Sequence, residues 1–357
     1  MLFVQNCYVC AYREPVLYGI LAAIAALFLA AVLAALLRTL ALRLGVLDRR
    51  RARPLPLLGG LAVVLATGLV AGAGEWTGYA PLGDGVGELL VAGAGVGALG
   101  LAADVWRVKA RFLVVGTAVA AAFVVPYGEL GFGVGLLALC WIVFVTLAFR
   151  ALDHADGLLG TVGVLTAFGV GACAAVEVLD GLAVLLSVLA AALTGFLMHN
   201  WHPARIALGA CGSLFTGFVL ASAAVVVRTG HELASSAGVL FALTAVAGAD
   251  VVLVAVSRRV AGRPLSRGGP DHLAHRLRRL GLTPRGAAVL LGACAFGAVL
   301  TGVLAHGGWA GESGLWWVAG VAGTGVVGLL RVPVYGLRRP PAVQSAQVRA
   351  PLRVRNG

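Results

Sequence analysis

Charged residues are scarce in this sequence. Asp, Glu, Lys and Arg together make up 12% of its 357 residues, whereas 60% are apolar and the mean hydropathy is +0.97. A water-soluble chain cannot cover its surface with so few polar groups, so the composition excludes an ordinary soluble protein. Lipid must be the solvent for much of the chain, and we expect an all-α, polytopic membrane protein in the cell membrane.

Other absences narrow the class further. The stretch before the first apolar run has no basic region of the kind that begins a signal peptide, so no cleavable signal is expected. Cys7 and Cys10 form a Cys-x-x-Cys pair that lacks a second pair, so we expect no zinc site there. The other four cysteines lie in apolar runs, as small buried side chains do. Neither a soluble catalytic domain nor an internal repeat of the transporter type is visible.

Apolar runs long enough to cross a membrane, which takes about 20 residues, follow one another along the chain. The sequence predicts eleven transmembrane helices, near 16–37, 57–74, 86–103, 112–126, 130–148, 159–177, 181–198, 206–227, 233–256, 286–305 and 314–330. A single transmembrane domain over 16–331 would lie between a short external tail, 1–15, and a basic, disordered cytoplasmic tail, 332–357. The 51 glycines predict helices that pack closely.

The positions of Lys and Arg orient the spans. With the N-terminus outside and the C-terminus in the cytoplasm, 25 of the 27 basic residues fall in cytoplasmic segments, and only Arg13 and Arg228 lie outside. Basic loops stay on the cytoplasmic side of a membrane, so this asymmetry fixes the topology. The net charge of +12 is therefore explained without a nucleic-acid partner.

Polar residues collect at the predicted cytoplasmic ends of the spans. They are Asp104, Asp153, Asp156, Asn200, Asp250, Asp271, His272 and His275. Polar groups at membrane depth are costly and often functional, and carboxylate oxygens suit Mg²⁺ and a phosphorylated headgroup. The alternative is that each residue only caps a helix or lies in the interface, and for any one aspartate both interpretations stay open.

The strings around these residues form a more specific pattern. In chain order they are PLPLLGGLAVV (54–64), LGLAADVWRVKARFL (99–113), LDHADGL (152–158), GFLMHNWHPARIALGACGSLFTGF (195–218), DVVLVAVSRR (250–259) and PDHLAHRL (270–277). The ordered set resembles the polyprenyl-phosphate N-acetylhexosamine-1-phosphate transferase superfamily, glycosyltransferase family 4, over about residues 48–282. Each string falls at the span, and on the membrane side, where that family has its motifs.

The resemblance implies a phosphotransfer reaction of cell-wall or surface-glycan synthesis. A polyprenyl (undecaprenyl) phosphate would accept a sugar-1-phosphate from a cytoplasmic UDP-sugar, and UMP would leave. The implied catalytic residues are Asp104, Asp153 and Asp156, of which Asp104 and Asp153 would also hold Mg²⁺. The implied substrate-binding residues are Asn200, His272, His275, Arg150 and Arg258. By analogy, the chain could also form a homodimer.

The sequence departs from the family pattern mainly at the residues that carry chemistry. Ala103, Arg150, Ala210 and Ala274 stand where the pattern has Asp, Asn, Asp and His, while Leu57, His154 and Ala155 are further departures. Packing positions are retained: Pro54, Pro56, Gly59, Gly60, Gly157, Phe196, Asn200, Pro203, Ala204, Gly212 and Ser213. This combination predicts the family fold with altered or absent chemistry.

Two functions therefore stay open from the sequence. One is a working transferase with an unusual site, in which Arg150 replaces part of the missing phosphate neutralisation. The other is a catalytically inactive relative that binds polyprenyl phosphate or a nucleotide-sugar and acts as a regulator or scaffold. A transporter or channel that shares only the composition is disfavoured by the ordered motifs.

Overall fold

The structure, a computed structural model, describes residues 2–48, 54–106, 108–264 and 269–335, with side chains from Leu17 onward. The side chains of Cys7 and Cys10, and the predicted cytoplasmic tail from Gly336, lie outside the described part. Residues 2–15, expected as a short external tail, are the beginning of the first helix.

Helices make up most of the described chain, as the sequence predicts. Strands β1 (Leu47–Asp48) and β2 (Leu55–Pro56) form a two-residue antiparallel ladder that the sequence does not predict. The helices are α1 (Leu2–Leu44), α2 (Gly59–Thr77), α3 (Val86–Trp106), α4 (Ala110–Val124), α5 (Tyr127–Leu152), α6 (Leu158–Val176), α7 (Asp180–Asn200), α8 (Gly209–Val227), α9 (Leu233–Val260), α10 (Leu273–Arg279), α11 (Pro284–His306) and α12 (Ser313–Leu330).

Ten of the described helices are long and apolar enough to cross a membrane. The fourth predicted span, α4, has only 15 residues. The ends of α3 and α5 both contact the first turn of α8, so these two ends lie on the same side of the membrane. Because short connections join α4 to both helices, α4 must cross the membrane between them. The polytopic all-α prediction is confirmed, with α10 as a short cytoplasmic helix between α9 and α11.

Helix α8 forms the centre of the bundle. All of its residues except Val226 are buried, and it packs against α2, α3, α5 and α6. A helix that is apolar all round can be buried on every side, and α8 is such a helix. Helix α12 is the opposite case, since only Leu315 and Val326 are buried and tryptophans such as Trp316 face outward. Positions at the start of α8 are therefore held from several directions.

Two glycines allow α2 and α8 to touch through their backbones. A Cβ placed on Gly60 would overlap the backbone of Gly212 and the carbonyl oxygen of Leu208. The N–H of Gly60 also donates to that carbonyl (2.9 Å), and the N–H of Ala207 donates to Pro56 (2.8 Å). Small residues permit such close approach in membranes, where packing drives helix association. The retained Gly59-Gly60 motif thus fixes α2 beside the beginning of α8.

Gly60→Ala is expected to destabilise the protein by about 1–3 kcal/mol, because the added methyl meets backbone rather than a movable side chain. Thermal unfolding in detergent measures the effect. Gly68→Ala is the matched control, because Gly68 lies in the same helix with nothing within 4 Å of its added Cβ. Equal midpoints for the two variants would contradict the packing described here.

Candidate active site

Two carboxylates meet at the first turn of α8. The N–H groups of Ala210 and Cys211 donate to the two oxygens of Asp104 (2.9 and 3.0 Å), and the N–H of Gly209 donates to Asp153 Oδ2 (2.9 Å). The first N–H groups of a helix lack partners within it, and the helix dipole adds partial positive charge. Asp104 comes from the end of α3 and Asp153 caps α5, so the fold brings together two predicted site residues from different motifs.

The same turn contains a glycine that the fold requires and an alanine where the resembled family has a carboxylate. Gly209 has φ 71°, and a Cβ there would lie 2.6 Å from Asp104 Oδ2, so only glycine fits. Ala210 stands where the resembled family has an aspartate, and it is almost fully buried. Arg150, at the end of α5, interacts favourably with the charge of Asp104. The turn therefore holds two carboxylates and a nearby guanidinium, and position 210 supplies no third carboxylate.

Asp156 is held in a second group beside this turn. Its Oδ2 lies 2.9 Å from Nδ1 of His202 and accepts a hydrogen bond from the N–H of Ala204 (3.2 Å). Nε of Arg285, from α11, donates to the carbonyl of His202 (3.0 Å). Asp156 and His202 are partly exposed, so the pair lies at the open cytoplasmic edge of the site. The sequence does not single out His202, since nothing in the chain order pairs it with Asp156.

Asn200 holds the loops of the site in place. Its side-chain oxygen accepts from the N–H of Gly157 (3.0 Å), and its amide nitrogen donates to the carbonyl of Ile206 (2.8 Å). The residue is 3% exposed, so both ends of its amide are used inside the protein. Asn200, predicted to bind substrate, therefore connects the α5–α6 loop to the α7–α8 loop in the structure.

Three histidines and an aspartate form a cluster next to the two carboxylates. His154 stacks on His272, with ring centroids 4.0 Å apart and an interplanar angle of 19°, and its centroid lies 5.0 Å from that of His275. Nδ1 of His272 is 2.8 Å from Asp250, whose other oxygen accepts from the N–H of Leu273 (2.8 Å). The predicted residues His272 and His275 thus come together, and His154, which the resemblance did not assign, lies between them.

His154 is neutral and its orientation is fixed. Its Nδ1 lies 2.8 Å from the carbonyl of Ala151, which can only accept, so Nδ1 carries the proton and Nε2 a lone pair. Burial lowers the pKa of His154 to about 3 against the opposing charge of Asp250, and the neighbouring histidines also lower it. Lone pairs lie in the ring planes, and the nearly parallel planes of His154 and His272 do not converge on one point. The ligand atoms of His154, Asp250 and His272 also lie within 4.8 Å of one another, but the stacked rings do not direct two lone pairs at a single ion.

The predicted substrate residue Arg258 lies in a buried ion pair. Its Nε donates to Asp271 Oδ2 (3.0 Å), and the other oxygen of Asp271 accepts from Ser257 (3.0 Å). Burial alone would raise the pKa of Asp271, but hydrogen bonds from Tyr335, Arg258 and Ser257 hold it below its ordinary value. Buried Arg276 completes the group, because it donates to Ser257, to the Asp271 carbonyl and to carbonyls at the end of α12.

This ion-pair group anchors the last cytoplasmic loop. Next to it, a cytoplasmic cavity of about 390 Å³ is lined by Pro270, His275, Arg278, Arg279, Leu282 and Pro284. Its two arginines and one histidine make it a basic recess that suits an anionic group. The part of the loop at residues 265–268 lies outside the described chain.

Fold and site together define a class, namely a polytopic membrane protein with an acidic and imidazole-rich site at the cytoplasmic ends of its spans. The family model for glycosyl transferase family 4 matches residues 87–228, which include Asp104, Asp153 and the start of α8. Relatives extend the match over most of the chain. The protein belongs to the polyprenyl-phosphate N-acetylhexosamine-1-phosphate transferases of this family, and the resemblance drawn from its motifs is confirmed.

Three relatives show the extent of the similarity. A Streptomyces coelicolor protein, provisionally named a glycosyltransferase, is 67% identical over 95% of this chain and 83% of its own. The decaprenyl-phosphate N-acetylglucosaminephosphotransferase of Mycolicibacterium smegmatis is 32% identical, over 81% of this chain and 82% of its own. The phospho-N-acetylmuramoyl-pentapeptide-transferase of Moorella thermoacetica is 34% identical over a shorter stretch, 40% of this chain and 44% of its own.

Proposed function

We propose that the protein transfers an N-acetylhexosamine-1-phosphate from a UDP-sugar to polyprenyl phosphate at the cytoplasmic face of the cell membrane. The observation that carries this proposal is the meeting of Asp104 and Asp153 at the N-terminus of α8. Both residues belong to the order of motifs shared with the family, and the fold makes one site of them. The names of the mycobacterial and Moorella relatives describe transfer of a phosphorylated amino sugar, in the first case to a polyprenyl phosphate.

The reaction needs a site that tolerates concentrated negative charge. An oxygen of the lipid phosphate attacks the β-phosphorus of the UDP-sugar, the bond from that phosphorus to the oxygen bridging the α-phosphate breaks, and UMP leaves. The protein's contribution to such a transfer is positioning and electrostatic stabilisation. The guanidinium of Arg150 and the positive end of the α8 dipole supply positive charge next to Asp104.

Asp104 and Asp153 fit a magnesium ion as a two-carboxylate site. Mg²⁺ in phosphate-handling sites commonly uses one or two carboxylates, with phosphate oxygens and water completing the shell. Each carboxylate oxygen accepts more than one partner, so the hydrogen bonds from α8 leave capacity for coordination. A bound ion would supply neutralisation of the diphosphate charge. The methyl group of Ala210 contributes nothing to this set, so the two aspartates would have to hold the ion without it.

The remaining site residues have different roles in this proposal. Asp156 orients His202 at the open edge, where Nε2 of its imidazole can accept a hydrogen bond from a substrate hydroxyl. Asn200 and Arg258 act as positioning residues, because their polar groups bind the protein itself. His275 and the arginines of the basic recess face the cytoplasm and could bind an anionic part of the nucleotide-sugar. The lipid chain would lie along the outward apolar surface of the bundle.

The proposal is tested by supplying purified protein in detergent with Mg²⁺, undecaprenyl phosphate and a panel of UDP-sugars that includes UDP-N-acetylglucosamine. We expect release of UMP that depends on the lipid and is abolished by Asp153→Asn. Absence of UMP release across the panel, from folded protein that still binds polyprenyl phosphate, would overturn the proposal and favour the inactive relative. The names of the relatives given above do not support that alternative.

Ala210→Asp is expected to make stability dependent on a divalent ion. A third carboxylate beside Asp104 and Asp153 should lower the free energy of unfolding by about 1–3 kcal/mol in chelator, because like charges are then buried without a counterion. Millimolar Mg²⁺ should recover most of that loss in a thermal unfolding experiment. Ala210→Asn is the control of equal size without the charge. If Mg²⁺ shifts the midpoints of the two variants equally, position 210 does not adjoin a metal site.

A further inference from the structure

Three potential metal ligands meet at the external ends of the helices, on the opposite side from the proposed active site. Glu177 caps α6, His231 lies between α8 and α9, and His306 is the last residue of α11. Oε1 of Glu177 is 3.3 Å from Nε2 of His231 and 3.2 Å from Nε2 of His306. The side chains of Glu177 and His231 are 33% and 32% exposed, whereas that of His306 is fully buried.

Nε2 of His306 makes no hydrogen bond of good geometry among the described residues, although Oε1 of Glu177 lies against it and the backbone of Cys173 is near the ring. A buried polar atom without a partner is costly, and such atoms are rare in native proteins. In a tetrahedral zinc site with bonds of about 2.0–2.1 Å, neighbouring ligand atoms are about 3.3–3.4 Å apart. The two measured separations from Glu177 are close to this value.

The ring geometry also suits one shared ion. The ring centroids of His231 and His306 are 5.4 Å apart and the rings are tilted by 40°, so both ring planes can contain the position of one ion. All three ligand atoms lie within 4.8 Å of one another. The nearly parallel rings of His154 and His272 on the cytoplasmic side lack this property. Two imidazoles and one carboxylate form a donor set typical of zinc with a fourth position for water.

Arg228 disfavours binding of a cation at His306, and this effect provides a test of the geometry. Its NH1 lies 2.9 Å from Nδ1 of His306, and its guanidinium also donates to the hydroxyls of Ser235 and Ser236. Arginine only donates, so in the metal-free protein Nδ1 accepts and the imidazole proton is on Nε2. Ion binding at Nε2 moves that proton to Nδ1 and breaks the bond to Arg228, while the two serines still bind the guanidinium.

We propose that Glu177, His231 and His306 form an external binding site for a transition-metal dication of the zinc type. The ion enters from outside, where Glu177 and His231 are partly exposed, and ties the ends of α6 and α11 to the α8–α9 loop. This site is separate from the two-carboxylate site, and it does not depend on the transferase function.

The test uses chelator-treated full-length protein in detergent, titrated with Co²⁺ as a spectroscopic probe for zinc and then with Zn²⁺. We expect one Co²⁺ per chain with the visible bands of a tetrahedral ion, displaced by Zn²⁺. Glu177→Gln should weaken binding at least ~10-fold, whereas Glu232→Gln, a carboxylate on the same face outside the cluster, should not. Lack of Co²⁺ binding by the unaltered protein, or equal binding by Glu177→Gln, would overturn the proposal.

A second measurement excludes the cytoplasmic cluster and covers the case in which Glu177→Gln does not fold. His154→Phe should keep the Co²⁺ spectrum, and Arg228→Gln should bind Co²⁺ more tightly than the unaltered protein because it removes a positive charge and the donor to His306. Loss of the spectrum in His154→Phe would place the ion on the cytoplasmic side. Weaker binding by folded Arg228→Gln would also contradict the external site.

Discussion

Asp104→Asn is expected to lower the rate of sugar-phosphate transfer at least ~100-fold while the protein stays folded. The replacement keeps the shape of the side chain, and its amide oxygen can still accept an N–H at the start of α8. What it removes is the negative charge that the proposed site contributes to the bound ion. Initial rates at saturating UDP-sugar, with thermal unfolding measured in parallel, separate lost chemistry from lost structure.

The control for this variant is Glu232→Gln, the same loss of charge on the external face, which should leave the rate within about twofold. If Asp104→Asn transferred at a rate close to that of the unaltered protein, Asp104 would be only a helix cap. That result would leave Asp153 as the one carboxylate at the α8 terminus with a part in the reaction.

Arg276→Met is expected to reduce the free energy of unfolding by about 3–5 kcal/mol, the cost typical of breaking a buried charged network. Arg276 is 1% exposed, and its guanidinium donates to Ser257 (2.6 Å) and to the carbonyls of Leu329 and Val332 (both 2.7 Å). The last carbonyls of a helix lack partners within it, so Arg276 caps the end of α12. Its loss leaves those carbonyls without their donor.

Thermal unfolding and limited proteolysis near residues 331–335 measure this effect. Arg278→Met is the matched control, because Arg278 lies in the same short helix but is exposed, and surface changes usually alter stability by less than ~0.5 kcal/mol. Equal midpoints for the two variants would mean that the contacts of Arg276 do not hold the end of α12 in solution.

Spans and motif order were the most predictable features. Apolar runs and the distribution of arginine predict the helices and the orientation, because membrane crossing constrains length and charge directly. The fourth span is shorter than usual, yet the contacts of Asp104 and Asp153 with α8 require it to cross. The resemblance also selected both aspartates, although it could not show that they bind N–H groups of the same helical turn.

Contacts between residues that are far apart along the chain could not be predicted from the sequence. His202 pairs with Asp156, and His154 stacks on His272, across long stretches of chain and without a regular spacing. Arg258 was expected at a substrate because it follows an aspartate in α9, yet it forms an ion pair with Asp271. Which partner a buried charge finds depends on tertiary packing, and a linear motif does not contain that information.

The external cluster was missed for the same reason. Glu177, His231 and His306 are far apart in the chain, and each taken alone is an ordinary polar residue near the end of a span. The one available signal was Arg228, an isolated basic residue on the side that has almost none. Its position beside His306 shows that the exception to the charge asymmetry has a local structural cause.

In the proposed reaction the sugar moves together with its phosphate, and an isotopic label follows that phosphate. Purified protein with Mg²⁺ and undecaprenyl phosphate receives UDP-N-acetylglucosamine carrying ³²P in the β-phosphate, and the lipid fraction is extracted. We predict that the label enters the lipid and that unlabelled UMP remains in water. Label that stays in water as UDP while the sugar enters the lipid, or an unlabelled lipid fraction with every UDP-sugar tried, would contradict it.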